Sequence, residues 1–278
     1  MFKRFIVLSA VSAIVVGAAG VAKAADIPTE QPPAAVQAVN DGWIVTLKGT
    51  GRIGPQFEGS GKYGLSGYPG LSIRRPGQPW KFGAPDDGFG FAVINTPWLQ
   101  LGPVARIRPE RDVSDDHKFR GMDDIDWGIE PGAFVEIYPL DVFRIRGELR
   151  YGLWGSDGFV GNVSADYIQR FDRFTVSFGP RTEIGDKDFT NTYYGVSRAE
   201  AAFYNGRITP YKADGGVKSV GFAGAVTYDW TDNWSTTAFG AYNKLVGDAA
   251  DSPVAKKLGE KDSVTVGLGL AYSFSTNW

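Results

Sequence analysis

The chain has 278 residues, 43% hydrophobic and 14% aromatic, with 37 glycines and a formal net charge of −2. That near-neutral balance gives no electrostatic footprint for a nucleic-acid partner. The absence of cysteine excludes disulfide staples, a thiol nucleophile and a lipidated N-terminal cysteine.

The first residues read MFKRFIVLSAVSAIVVGAAGVAKAAD. Lys3 and Arg4 precede an apolar run over 5–20, and Ala22-Lys23-Ala24 forms a small-x-small site. The run is short for a membrane anchor, so residues 1–24 are expected to be a cleaved secretory signal peptide. Residues 25–41 are small, polar and proline-bearing without periodicity, and read as a flexible lead-in to one domain over 42–278.

From there the chain alternates apolar and polar residues, the period of a strand with two different faces. Over 125–137, Ile125, Trp127, Ile129, Ala133, Val135 and Ile137 share one parity, and Asp126, Glu130 and Glu136 the other. Over 143–153, Phe143, Ile145, Leu149, Tyr151 and Leu153 oppose Arg144, Arg146, Glu148 and Arg150. The pattern returns over 159–170, 174–184, 218–230 and 263–274. Each segment is about ten residues or slightly more, the length of a tilted membrane-spanning strand. Strands are expected near 43–53, 98–108, 125–138, 142–153, 159–170, 173–184, 217–230, 233–245 and 263–274, with three more near 68–75, 79–84 and 88–96 in a Gly/Pro-rich stretch. That makes an all-β, antiparallel up-and-down transmembrane barrel of twelve strands, or ten if the Gly/Pro-rich stretch contributes fewer.

Connections alternate too. YPLDV, RFDRF and DWTDNW are tight turns, whereas the segments after about 108, 184 and 245 are long and polar. That asymmetry is characteristic of outer-membrane barrels. Tyr138, Phe171, Trp230 and Trp234 flank the tight turns and are expected to form an aromatic girdle. A three-residue loop at 139–141 would set Glu136 opposite Arg144 and Glu130 opposite Arg150. A lipocalin-like barrel or β-sandwich would bury the greasy face instead. Strand length, loop asymmetry and the closing aromatic strand VTVGLGLAYSFSTNW favour the membrane, with both termini periplasmic. The ionised face then looks into the lumen, since an arginine facing lipid at mid-depth costs about 2–4 kcal/mol.

The expected lumen set is Lys48, Arg52, Arg106, Arg108, Glu130, Glu136, Arg144, Arg146, Glu148, Arg150, Asp166, Arg170, Arg181 and Glu183. It reads either as a cation-lined pore for anions or as paired charges filling a narrow barrel, and a size between eight and sixteen strands favours a closed or weakly conducting lumen. His117, the single histidine, stands beside Asp115 and Asp116 without a second partner for acid–base work, and reads as a solvated loop residue. FEGSG lacks the first glycine of a G-x-S-x-G elbow, because Phe57 stands there. The acids Asp112, Asp115, Asp116, Asp123, Asp124 and Asp126 lack the spacing of a calcium loop. No catalytic residue, cofactor or metal site is expected.

Four segments carry a family resemblance: GPQFEGS with Pro55, Phe57, Gly59 and Ser60; TYYGVS with Tyr193, Tyr194 and Gly195; KLVGDAADSPV with Gly247, Asp248, Asp251, Ser252 and Pro253; and the closing GLGLAYSF. The chain resembles the MipA/OmpV (MltA-interacting protein) family, most clearly from Asp172 onward and loosely over 61–125. The resemblance implies an outer-membrane barrel in contact with lipid and lipopolysaccharide, without known catalytic residues. One family member brings a lytic transglycosylase and a penicillin-binding protein together. An interaction protein for peptidoglycan-remodelling enzymes is therefore the first expectation, a small-solute pore or osmotic-response channel the second, and a hydrolase a weak third.

Overall fold

The computed structural model describes residues 42–76 and 82–276, so the expected signal peptide over 1–24 and lead-in over 25–41 lie outside the described residues. One antiparallel sheet of twelve strands forms a nearly closed barrel. Ten strands are long: β1 (Trp43–Pro55), β2 (Tyr63–Arg74), β5 (Leu99–Arg108), β6 (Gly128–Leu140), β7 (Phe143–Trp154), β8 (Gly158–Phe171), β9 (Phe174–Gly185), β10 (Gly216–Asp229), β11 (Trp234–Leu245) and β12 (Asp262–Thr276). The other two, β3 (Phe89–Gly90) and β4 (Ile94–Asn95), are two-residue stubs that both pair with β5. The last strand closes on the first, Trp43 opposite Thr276. The sheet order ends at β2 on one side and β3 on the other. Across that seam, Tyr68 meets Phe89 edge-on at 6.0 Å.

The two faces separate as the alternation requires. On β7, Phe143, Ile145 and Leu149 are 43%, 45% and 59% exposed, while Arg144 and Arg150 are 0% and 1%. Exposed aliphatic and aromatic side chains cover the outside of every long strand. Water would make that surface costly, whereas hydrocarbon accepts it. No helix among the described residues is long and apolar enough to cross a membrane, so any crossing is made by strands.

One end carries tight connections at 96–98, 141–142, 172–173 and 230–233, together with the start of β1 and the end of β12. The other carries the segments 56–62, 109–127, 186–215 and 246–261, which hold α1 (Lys187–Tyr194), α2 (Arg198–Phe203), α3 (Gly247–Asp251), a 3-10 turn (His117–Phe119) and a π-helical turn (Val254–Leu258). These segments pack into a cap with its own core, including Phe57, Phe119, Phe189, Tyr194 and Val254. Ile125 belongs to that core and not to a lipid-facing strand as expected.

Three further expectations need correction. Of the strand expected near 79–84, residues 79–81 lie outside the described residues and 82–84 form no strand. Phe82 and Ala84 pack against Ile168 of β8, and Pro85-Asp86-Asp87-Gly88 turns inside the lumen. Proline removes a ladder donor, and the Asp87 carboxylate accepts from the Ala84 N–H at 2.8 Å, closing a turn where a strand would need to continue. The β6–β7 turn is two residues long, with Leu140 opposite Phe143, and Glu136 faces Arg146 rather than Arg144. Pro139 cannot donate, and the ladder shifts between Ile137 and Leu140. The correction is two residues, so side chains keep their faces. Tyr138 points inward, donating to Glu136 at 2.9 Å, and does not join the girdle. Phe171, Trp230 and Trp234 remain exposed at the tight-turn end, with Phe143, Phe174 and Trp43 beside them.

Cysteines at Val135 and Gly147, which are opposite in this register, should cross-link readily in a chain with no cysteine of its own. The pair Val135 and Ile145, opposite in the three-residue-loop register, should not. Non-reducing electrophoresis of the two variants decides between the registers.

Candidate functional site

The lumen is filled on one side by ionised side chains from β5 to β9. Arg144 contacts three acids: Asp87 of the inserted turn at 2.6 Å, Asp166 of β8 at 2.7 Å and Glu136 of β6 at 3.4 Å. Arg146 binds Glu136, Glu148 at 2.8 Å and Asp87 at 3.7 Å. Arg181 joins Asp86 at 2.6 Å to Asp166 at 2.7 Å. The inserted turn is thus held by its own acids against bases on two strands, β7 and β9. The Gly88 N–H adds a bond to Glu148 at 3.0 Å, and Arg106 donates to the Asp86 carbonyl at 2.8 Å. Phe82 lies under the Arg144 guanidinium at 4.9 Å.

Toward the cap the pairing continues. Arg150 binds Glu148, and Glu130 at 3.1 Å. Arg108 reaches Glu58 at 2.7 Å, Glu183 at 3.0 Å and Glu130. Lys218 binds Glu58, and Glu183 at 2.9 Å. Buried ions are tolerated only when paired and hydrogen-bonded, and here each buried arginine of β7 has at least two carboxylates. Glu130 and Arg150 meet as expected, although Gly132 stands opposite Arg150 in the ladder. Of the expected lumen set, Arg170 sits exposed at the tight-turn end of β8. Lys48 and Arg52 line the inside of β1.

Sequence reading missed Glu58, Asp86, Asp87 and Lys218. The first three are on connections, where alternation says nothing. Lys218 has lipid-facing parity, but a bulge between Val217 and Ser219 turns it inward, where it is 1% exposed. A usable signal existed: the expected lumen set holds nine bases and five acids, an imbalance that a closed barrel must correct from elsewhere.

The segments that carry the family resemblance converge in the cap. Tyr194 donates to Glu58 at 2.7 Å, and the Ser252 hydroxyl donates to the Tyr194 carbonyl at 2.6 Å. Arg111 donates to the Tyr193 carbonyl at 3.0 Å. Gly195 closes α1 by donating to Asn191 at 2.8 Å. Gly59, at φ +83°, accepts from the Glu260 N–H at 3.0 Å, and its left-handed backbone favours glycine. Asp248 accepts from Asp214 N–H at 2.7 Å, and Pro253 follows the buried Ser252 into the π-helical turn. Asp251 pairs with Lys256 at 2.9 Å. Phe57 and Ser60 are buried beneath, and Pro55 ends β1 at their entrance. Gly247 has φ +54° where β11 turns into α3.

Burial pushes the Tyr193 hydroxyl up to about 12, and burial together with Glu58 raises Tyr194 further. His117 is exposed on its 3-10 turn. Asp116 caps that turn through the Lys118 N–H at 3.1 Å, Asp112 accepts from Ser114 N–H at 2.7 Å, and Asp124 from Val113 N–H at 2.9 Å. Those acids hold loop backbone, and no cluster with metal-ligand character occurs among the described residues.

The family model for "MltA-interacting protein MipA" matches residues 49–274. Among curated protein sequences nothing matches the chain. Among solved structures the chain is similar to the COG4313 outer membrane channel from Pseudomonas putida F1, with 10% identity, TM-score 0.44, and coverage of 88% of this chain and 100% of that one. It is also similar to the KdgM porin in complex with disordered oligogalacturonate, with 9% identity, TM-score 0.36 and coverage of 83% and 99%. Neisserial surface protein A follows with 9% identity, TM-score 0.27 and coverage of 84% and 97%.

Asp87→Asn should destabilise the barrel by on the order of 3 kcal/mol, because it removes a carboxylate from two buried guanidinium groups. The temperature at which compact electrophoretic migration is lost should fall, and fall less for Asp86→Asn, whose partner Arg181 keeps Asp166. The raised tyrosines give an alkaline limit. Cap stability is complete below the unfolded tyrosine value of about 10 and is lost as pH climbs through about 12. Limited proteolysis across that window should cut the 186–215 segment, and Tyr194→Phe should shift its onset upward.

Proposed function

The chain belongs to the MltA-interacting protein (MipA) family, and on that premise we propose that it is a closed, non-catalytic outer-membrane barrel serving as an interaction protein for peptidoglycan-remodelling enzymes. The observation that supports this reading is the lumen. An open channel needs a continuous polar passage, whereas here paired ions and an inserted turn occupy one half and a folded cap covers one mouth. Wall and plug are devoted to holding a rigid shape, which is what an anchored docking body requires. The family description names an MltA protein as partner, and the resemblance implies a lytic transglycosylase. A penicillin-binding protein is the second partner, and lipid and lipopolysaccharide surround the barrel.

Both barrel termini belong on the periplasmic side in this reading, since they lie at the tight-turn end. The tight turns are small for a broad docking face, so the partner is expected to engage the open end of the barrel beside them. Catalysis is disfavoured by the exposed position of His117 and by the acids that surround it, which accept from loop backbone.

The test is direct binding. Purified barrel in detergent should capture a purified MltA-type lytic transglycosylase saturably, and an unrelated barrel should not. The same preparation in a planar bilayer should show no stepwise conductance. Steady open-channel conductance together with failure of capture would replace the docking role with the pore.

A further inference from the structure

The lumen is two-sided. Opposite the charged strands, β10, β11, β12 and β1 present small side chains inward, among them Ser219, Ala223, Asn243 and Thr265. The mismatch leaves a cavity of about 290 Å³ between that wall and the inserted turn. This is roughly the volume of ten liquid waters, at the lower edge of ligand-pocket sizes.

What matters chemically is which hydrogen-bonding groups around it are still unused. The carboxylates on the charged side are occupied: Asp86 by Arg181 at 2.6 Å, Glu183 by Arg108 at 3.0 Å and Lys218 at 2.9 Å, and Glu148 by Arg146 at 2.8 Å and the Gly88 N–H at 3.0 Å. Glu260 and Lys261, at the cap end, contribute one charge of each sign. Two guanidinium groups remain under-used. Arg52 donates only to the Ser66 hydroxyl at 3.0 Å, and among the described residues no acid lies within ion-pair reach. Arg106 spends one nitrogen on the Asp86 carbonyl and stands 3.5 Å from Glu148, longer than a hydrogen bond. The spare capacity of the cavity is therefore cationic and donating. Serine, threonine and asparagine on the far wall can donate or accept. The Tyr68 ring, with Arg52 at 5.7 Å from its centroid, and Phe239 supply flat apolar surface.

We propose that this cavity binds a monosaccharide-sized, hydroxylated anion, its carboxylate or phosphate taken by Arg52 and Arg106 and its hydroxyls by the small polar wall. A neutral sugar would leave Arg52 without a counter-charge and Arg106 with only its longer contact to Glu148 at 3.5 Å. A bare inorganic anion would leave the wall unused. The inference does not depend on the docking role, because the cavity is lined by the inner barrel wall and the inserted turn and not by a docking face.

The experiment is calorimetric titration of the full purified barrel in detergent with glucuronate, glucose 6-phosphate and glucose. At least one of the two anions should bind, with glucose at least tenfold weaker; which anion binds distinguishes a carboxylate from a phosphate site. Arg52→Gln and Arg106→Gln should each weaken anion binding at least fivefold, and Arg52→Lys should weaken it less than Arg52→Gln. Ala225→Leu, which narrows the cavity without altering a charge, should abolish it. Compact electrophoretic migration at unchanged temperature qualifies each variant as folded. Failure of both anions to bind, equal binding of glucose, or unchanged affinity in the folded Ala225→Leu variant would overturn the proposal.

Discussion

The arginines of β7 set the terms for the rest of the molecule. Arg144 and Arg150 are almost wholly out of water, inside a wall whose other face is greasy. An unpaired guanidinium there would cost several kcal/mol, so acids have to be brought to it. Neighbouring strands bring Glu130, Glu136 and Asp166, and the chain supplies more by turning Asp86 and Asp87 inward. The inserted turn, the narrow lumen and the charged side of the cavity follow from that requirement. Glu58 extends the same logic upward, tying the uppermost lumen charges to Tyr194 in the cap.

Alternation made the wall readable before any coordinates. Where a strand is greasy on one parity and ionised on the other, as over 143–153, the two faces separate cleanly, and strand length and loop asymmetry then say which one looks inward. Register was less legible, because Pro139 inserts a one-residue irregularity that no periodicity reports. Acids on connections carry no parity at all, so Asp86 and Asp87 looked like ordinary turn formers in a Pro-Asp-Asp-Gly run. The twelve-strand count came out right although only ten strands are long, the Gly/Pro-rich stretch giving the long β2, a plug in place of one expected strand and two stubs in place of another.

The cap was not legible from periodicity. Its residues lie far apart in sequence and have no shared period, yet Tyr194, Ser252 and Glu58 form one continuous hydrogen-bonded path. A motif spread over separate loops signals a tertiary contact between them, and here three such segments meet above the lumen. The acidic stretch 112–126 shows the converse: it is rich in carboxylates without calcium-loop spacing, and Asp112, Asp116 and Asp124 accept from local backbone donors.

The seam carries a consequence for assembly. The plug belongs to the chain segment between β2 and β3, and those strands are the two free edges of the sheet. It therefore never has to thread a finished ring. As the sheet curls, its own linker is swept between the approaching margins and enclosed sideways, the way a bookmark is caught when a book shuts. Asp86 and Asp87 then lie inside the ring by virtue of where their segment starts and ends, and Tyr68 and Phe89 stand where the two margins meet.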